Sequence, residues 1–449
     1  MKWLVFGLAL AGSVLFGLWL RRNQRHVPAV WSLAAFLPFV LTFDNSNIAL
    51  VSWPWFPGYT YGLEVTFLDL VIISLRVALP PGRRHPPLRV VRAAYLIAVA
   101  VSMAQANFPM AAFFGVWQLL RMYLVFSVVA RAAQDPRVAI SVLKGLAGGV
   151  LLTSALAFVQ RYLLGYHEVL GLFAHQNIIG LVCYFAIMPT FALLLMGRTS
   201  WLFVATPLAG ALAVVLSLSR GSLLILVGGL GLTFLLSMRH LTWRKLMVGF
   251  GTFVVASAIF VKAYDQLEVR FSERTYGAFA AGEGLDERAR LEVASRWMLE
   301  EHPFGVGANH HTWALHSGGY AERAKITARG SATGEIKVHN FFWLTATETG
   351  HLGLAAFLAL ALALLAMSFR GSWAAGAGAR GQILLGLGVA MLLFLLHGLL
   401  EWIQILMNPQ YVFWFSAGLA AGLTRGAPPP GRVPALAVRA DRRVVRSTS

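Results

Sequence analysis

Stretches of about 20 apolar residues recur along almost the whole chain, each near the length that crosses ~30 Å of hydrocarbon. They cover approximately 3–20, 29–43, 63–80, 93–109, 111–130, 138–159, 177–196, 200–218, 221–238, 246–262, 341–367, 382–400 and 409–424. Inside lipid a backbone must satisfy its own hydrogen bonds, so such runs are expected as helices and not strands. Only 12% of the residues are charged and 58% are hydrophobic, whereas soluble domains carry about 25% charged residues. The expectation is an all-α, polytopic integral membrane protein. The first run, Trp3 to Leu20, is followed by Arg21, Arg22 and Arg25 instead of a small-residue cleavage site, so it reads as a retained helix. The single cysteine, Cys183, lies within an apolar run and reads as a small buried residue.

Basic residues set the orientation. Arg83, Arg84, Arg89 and Arg92 crowd one loop, Arg131 and Arg137 a second, Arg239, Arg244 and Lys245 a third, and Arg370 and Arg380 a fourth. An arginine-rich tail follows Leu423. Loops 44–62, 105–110 and 401–408 are nearly free of Lys and Arg. The basic set is expected in the cytoplasm, which places a long loop, about Tyr264 to Val338, on the periplasmic side. Thirteen runs with a cytoplasmic C-terminus would leave the N-terminus outside. About 12 spans with both ends cytoplasmic is the expectation adopted. The divisions expected are membrane helices over 1–263, a large periplasmic loop or cap over 264–338, further membrane helices over 339–424, and a basic, disordered cytoplasmic tail over 425–449, opened by Ala427-Pro-Pro-Pro-Gly431. The net charge of +18 resides in cytoplasmic loops and tail, so it points to anionic membrane lipids and not to nucleic acid.

The long loop carries its own pattern. Asp286 can cap a helix running to about Glu301, with Ala289, Val293 and Trp297 on one face and Arg288, Glu292 and Arg296 as an i,i+4 charge ladder on another. Gly305-Val-Gly-Ala-Asn309 forms a glycine-rich turn before His310 and His311. His339 stands where the chain re-enters the bilayer, and Ser219-Arg220-Gly221-Ser222 opens a span as a ready anion site at a helix N-terminus.

The polar residues gathered on the outer side are Arg220, Arg288, Arg290, His339, Asn340, His175, Asn177 and Glu348. Each also has a plainer reading. A boundary arginine such as Arg220 serves as a headgroup anchor, and Arg288 serves as an ion-pair partner of Glu292. His339 serves as an interfacial hydrogen-bonder, and Glu348, about two turns into its span, as a protonated packing residue. Arg76 can snorkel to the cytoplasm, while the deeper Arg121 is expected to face a polar cavity. No Asp-x-Asp pair appears in the sequence and the outer loops before residue 264 contain few acids, so a Mg²⁺ or Mn²⁺ site of clustered carboxylates is not expected, and His310-His311 is poorly spaced for zinc. Arginines as the cation and one histidine as base form the chemistry these residues suit best, with no cofactor.

Four short motifs carry a resemblance. They are Phe173-Ala-His-Gln-Asn-Ile-Ile-Gly180, Ser219-Arg-Gly-Ser-Leu-Leu224, His302-Pro-Phe-Gly-Val-Gly307 after a loop-helix arginine, and His339-Asn-Phe-Phe-Trp-Leu-Thr-Ala-Thr-Glu-Thr-Gly350 continuing to Gly353. In this order, with many spans and one large loop, the chain resembles the O-antigen ligase family, over roughly residues 150–370. The resemblance implies a GT-C-like, inverting glycosyltransferase of the bacterial inner membrane. Its donor would be an undecaprenyl-diphosphate-linked polysaccharide and its acceptor lipid A–core. His339 would be the catalytic base, with Arg220, Arg288 or Arg290, Asn340, His175, Asn177 and Glu348 binding diphosphate or sugar. An O-antigen polymerase or a protein O-oligosaccharyltransferase shares that donor, and a lipid or polysaccharide transporter is the non-enzymatic alternative.

The lack of an Asp-x-Asp pair and the few acids in the outer loops before residue 264 predict a reaction that needs no divalent metal. Purified protein in EDTA is expected to keep its transfer activity; loss reversed only by Mg²⁺ or Mn²⁺ would overturn this.

Overall fold

The structure, a computed structural model, describes residues 2–41, 47–81, 84–197, 200–252, 254, 287–326 and 337–426. The expected cap of the loop helix by Asp286, the loop's start at Tyr264 and the C-terminal tail after residue 426 lie outside the described residues. Among the described residues, ten α-helices precede the loop, nine of them before residue 240. The nine are α1 (Lys2–Arg22), α2 (Val27–Phe36), α3 (Phe67–Ala78), α4 (Arg89–Ser102), α5 (Pro109–Ala132), α6 (Pro136–Phe158), α7 (Gln176–Met196), α8 (Trp201–Leu216) and α9 (Arg220–Ser237). A further helix, α10, is described over residues 243–252. The loop contributes α11 (Glu287–Glu301), α12 (His311–Ser317) and α13 (Tyr320–Arg323), and the chain ends on α14 (Phe341–Ala375), α15 (Ala379–His397) and α16 (Met407–Arg425).

Among the described residues, seven helices are long and apolar enough to cross a membrane by length and composition, beside an expectation of about 12 spans for the whole chain. Several apolar runs are divided. The 29–43 run holds the ten-residue α2 and a 3₁₀ turn, and the 93–109 run ends its helix at Ser102. The 63–80 run begins as a strand. β1 (Asn47–Ser52) and β2 (Gly62–Thr66) pair antiparallel, with Asn47 opposite Thr66 and Ile48 opposite Val65. This hairpin departs from the all-α expectation. β-Branched residues in both strands and the Pro-Gly turn chemistry between them favour it.

Helix α7 is buried on every side and forms the axis of the bundle, packed against α6, α8, α9 and α15. Close approach of backbones holds this core together, as in other membrane bundles. A Cβ on Gly418 or Gly422 of α16 would lie 2.9 Å from the carbonyl oxygens of Phe126 and Ala130 on α5. Helix α1 packs on α3 and leaves Trp3, Leu4 and Leu15 exposed, as a lipid-facing helix would.

Arg121 does not face an open polar cavity. Its Nε donates to Asp69 (2.8 Å) and its Nη2 to the Tyr411 hydroxyl (2.7 Å). Asp69 also closes a capping box with Thr66 at the start of α3, so one buried ion pair ties β2, α3, α5 and α16. Arg76 is exposed in the last turn of α3, consistent with snorkelling.

The loop forms a cap with its own apolar core, in which Leu291, Met298, Leu315, Tyr320 and Val338 pack against Leu344 of α14. Leu291, Ala294, Ser295, Met298 and Leu299 make up the buried face of α11. Ala289, Val293 and Trp297, expected as that face, are only half-buried. The Arg288–Glu292–Arg296 ladder is also redistributed. Arg296 pairs with Glu300 (2.9 Å), Arg288 turns to Glu401, and Asn340 approaches Glu292 at 3.5 Å.

Helix α14 is two helices meeting at Gly350, where φ is 69° and ψ −175°. Carbonyls released by the break are taken by the loop: Val306 N–H donates to Thr347 (2.9 Å) and Gly307 N–H to Glu348 (3.0 Å). His351 N–H donates in return to the Pro303 carbonyl (3.0 Å). Two of the sequence motifs thus hold each other by backbone. At the same junction Asn309 accepts from Tyr59 N–H (2.7 Å) and Thr60 N–H (3.1 Å) and donates to Thr60 and Ala111 carbonyls, fastening the cap to the hairpin tip.

Gly350→Ala is expected to destabilise by more than about 2 kcal/mol, from the positive φ and from overlap with the Pro303–Phe304 backbone. Gly228→Ala on α9, where a Cβ meets open space, is expected to be neutral or slightly stabilising. Thermal unfolding in detergent measures both; equal melting temperatures for the two variants would contradict the junction's role.

Candidate functional site

Three helices begin within a side chain's length of residues 398–401. Each start has its own capping device. His175 caps α7, its Nδ1 accepting from Asn177 N–H (3.1 Å). Ser219 caps α9, its hydroxyl accepting from Ser222 N–H (3.3 Å). Asn340 caps α14, its Oδ1 accepting from Phe342 (3.0 Å) and Trp343 (3.2 Å). The first turns of α7 and α9 are in contact, since a Cβ on Gly180 would overlap Ser222. Gly221 sits against Leu400, and Phe341 N–H donates to the Gly398 carbonyl (2.7 Å). Helix N-termini carry partial positive charge, so their convergence favours an anion.

The anion present is a carboxylate that sequence reasoning missed. Glu401 is 5% exposed and accepts from three elements at once. Asn177 Nδ2 donates to its Oε1 (2.7 Å), Arg288 Nη2 donates to the same oxygen (3.2 Å), and His339 Nδ1 lies 3.1 Å from Oε2. Arg288 Nη1 also reaches the Leu400 carbonyl (3.4 Å). Burial pushes the Glu401 carboxyl up. The hydrogen bond and charge of His339, followed by the charges of Arg288 and His175, outweigh it and hold the group below the ordinary carboxylate value. An ionised carboxylate only accepts, so the His339 proton sits on Nδ1. In the neutral ring Nε2 then keeps its lone pair. His339 is about one-third exposed, which leaves the ring accessible.

Five of the eight residues singled out from the sequence gather here. They are His339, Asn177, Arg288, His175 and Asn340, with Asn340 acting through its cap and its long contact to Glu292. Burial lowers the His175 imidazole's pKa, against the raising charge of Glu401. Arg220 is the first residue of α9 and half-buried, beside Gly221 and its contact to Leu400. Arg290 is directed elsewhere: its Nη1 donates to the Lys325 carbonyl (2.6 Å), tying α11 to the end of α13. Of the two loop arginines left open by the sequence, Arg288 is therefore the one at Glu401.

Glu348 is also placed apart. It lies two residues before the Gly350 break, accepting from the Tyr59 hydroxyl (2.7 Å) and from His311 N–H (3.2 Å). Its neighbours are the hairpin tip and the cap, not the His339 cluster. The one sequence signal for Glu401 is its position as a lone acid in a short loop without Lys or Arg.

A family model for O-antigen ligase matches residues 205–358, from within α8 through the cap and past the break in α14. The matched stretch includes Arg220, Arg288 and His339, while Asn177 and Glu401 approach them from outside it. No curated protein matches the chain.

A carboxyl whose folded pKa is depressed adds stability that is complete above its unfolded value, near ~4.3. That stability is lost as the pH falls through the lower folded value. Melting curves of wild type and Glu401→Gln should therefore differ most at neutral pH and draw together as the pH falls below the unfolded value of ~4.3. An unchanged difference at pH 3.5 would mean that Glu401 is not held as a carboxylate.

Proposed function

We propose that the chain, which the O-antigen ligase family model matches over residues 205–358, transfers a polysaccharide from undecaprenyl diphosphate to a sugar hydroxyl of lipid A–core, on the periplasmic face of the bacterial inner membrane. The observation that carries this reading is the contact of His339 Nδ1 with Glu401 beside Arg288.

The donor breaks its C1–O bond to phosphate, and the electron pair leaves on the diphosphate. Arg288, Arg220 and the N-termini of α7, α9 and α14 supply positive charge for that leaving group. A planar guanidinium suits it through paired, charge-assisted donors. The acceptor oxygen attacks C1 from the opposite face, which inverts the anomeric centre, and its proton passes to His339 Nε2. Glu401 fixes the ring orientation and steadies the imidazolium that forms, the part an orienting carboxylate plays for other histidine bases. General-base assistance is typically worth ~10²–10⁴-fold.

Membranes carrying His339→Ala or His339→Gln at normal abundance are expected to lose transfer by about 10²-fold or more while still binding undecaprenyl diphosphate. Glu401→Ala should reduce transfer by a similar order through loss of ring orientation. Arg288→Ala should weaken donor binding, Arg288→Lys should restore only part of it, and Arg290→Ala should have little effect. Substantial transfer by both His339 variants would remove the base. For the acceptor, gene deletion followed by lipopolysaccharide electrophoresis is decisive. Bare core with accumulated lipid-linked polymer supports ligation, whereas core capped by single repeats would replace this reading with polymerisation.

A further inference from the structure

Three contacts run in order between the segment that enters α14 and the segment that follows α15. Phe341 N–H donates to the Gly398 carbonyl (2.7 Å). His339 Nδ1 meets Glu401 Oε2 (3.1 Å). Beyond that pair, the Lys337 ammonium stands over the Trp402 ring, 4.8 Å from its centroid. The outer two contacts bracket the pair on which the mechanism above depends, and that mechanism makes no use of Lys337.

Lys337 is only 6% exposed. An ammonium taken out of water is costly unless anions or ring faces replace its hydration. Apolar packing alone would close this seam, since Val338 lies in the core of the cap and Trp402 packs against the same core. A cation adds direction to that packing. An aliphatic side chain slides over an indole with little preference, whereas a cation is drawn to the face of the ring, where the quadrupole is negative. Lys337 therefore fixes the place of Trp402. Trp402 directly follows Glu401, and Lys337 precedes His339 by two residues, so the outer pair limits the separation open to the inner one.

The other end of Lys337 is anchored to the cap junction. Its charge acts on Glu348 of α14 and on His311 of α12, which are themselves joined by the His311 N–H bond to Glu348 (3.2 Å). Burial first, and the charge of Lys337 second, hold the His311 imidazole down at about 3, so that ring stays neutral. On the opposite side, Arg288 Nη1 donates to the Leu400 carbonyl (3.4 Å) and Nη2 to Glu401 (3.2 Å). Arg288 also lies where a diphosphate would draw on it. Lys337 holds the same short segment from the junction that keeps the cap in register.

We infer that Lys337 is a positioning residue for the transfer reaction: through Trp402 it keeps Glu401 within reach of His339 Nδ1. It touches no reacting atom. The inference rests on the glycosyl-transfer reading, in which His339 is the base, and it gives the Glu348 junction a part in the same arrangement.

Two variants of the full-length protein in proteoliposomes test it, Lys337→Met, which removes the charge at similar length, and Trp402→Leu, which removes the ring. Displacing a catalytic group by about 1 Å can cost on the order of 10²-fold in rate. Each variant is expected to lower kcat by about tenfold or more, with KM for the undecaprenyl-diphosphate donor within about twofold of wild type. Lys337→Arg, which keeps a cation for the ring, is expected to recover most of the rate. On top of Glu401→Ala, Lys337→Met should cost less than about twofold more, because the group it positions is already gone. A wild-type kcat in Lys337→Met, a loss confined to KM, or a full further loss on top of Glu401→Ala would overturn the inference. A second readout is independent of transfer: the nitrogen NMR spectrum of isotope-labelled imidazoles, with His339 assigned by its absence in His339→Gln. Wild type is expected to show the Nδ1–H tautomer, and both Lys337→Met and Trp402→Leu a mixture of the two tautomers. An unchanged Nδ1–H tautomer in both variants would remove the positioning role alone. Mixed tautomers in variants of a protein that transfers nothing to lipid A–core would remove the ligase reading and keep the positioning.

Discussion

Withdrawing a carboxylate from water costs several kcal/mol unless donors replace its hydration shell. For Glu401 those donors come from three places distant in sequence: Asn177 at the start of α7, Arg288 on the cap and His339 before α14. None of these positions is fixed by local sequence alone. Each depends on a helix start being held near residues 398–401, through contacts such as Gly180 with Ser222 and Gly221 with Leu400. The bundle can therefore be understood as the scaffold that completes one buried acid's hydrogen bonds. The same contacts bring three positive helix ends together.

The cap must stay in register for Arg288 to reach that acid. Two devices keep it there. At Gly350 the break in α14 exposes carbonyls that Val306 and Gly307 satisfy, and neither Gly350 nor Gly305 has room for a side chain. Asn309, itself at a positive φ of 64°, spends its amide on the hairpin tip and α5. The glycine-rich motif before α12 and the Glu-Thr-Gly motif in α14 thus have a structural reason for their composition, independent of any substrate.

The sequence made the apolar spans, the cap helix over 287–301 and the polar cluster around His339 legible, because each leaves a local signature in periodicity, capping or charge. Features made by long-range pairing were not legible. β2 is hidden in an apolar run because Gly62–Thr66 leads straight into α3, and hydropathy does not separate the two. The turn at Gly350 interrupts a helical pattern that continues on both sides, so Glu348 read as a residue two turns inside a span. Arg121 and Asp69 find each other across 52 positions, and His339 and Glu401 across 62. A lone glutamate in a short loop carries little signal until the histidine opposite it is placed.

The pairing also constrains how such a site would respond to a diphosphate. Arg288 is engaged with Glu401, and its side chain is about one-third exposed. A bound diphosphate would compete with the carboxylate for the guanidinium, and two anions side by side repel unless cations lie between them. Arg220 and the three helix N-termini are the available counterweight. Arg288 has five N–H donors, and among the described residues its Nη1 and Nη2 are in use, so it can bridge both anions without releasing the first. Glu401 would then keep His339 oriented while the leaving group binds, which a lysine at position 288, with a single point charge, could not do as well.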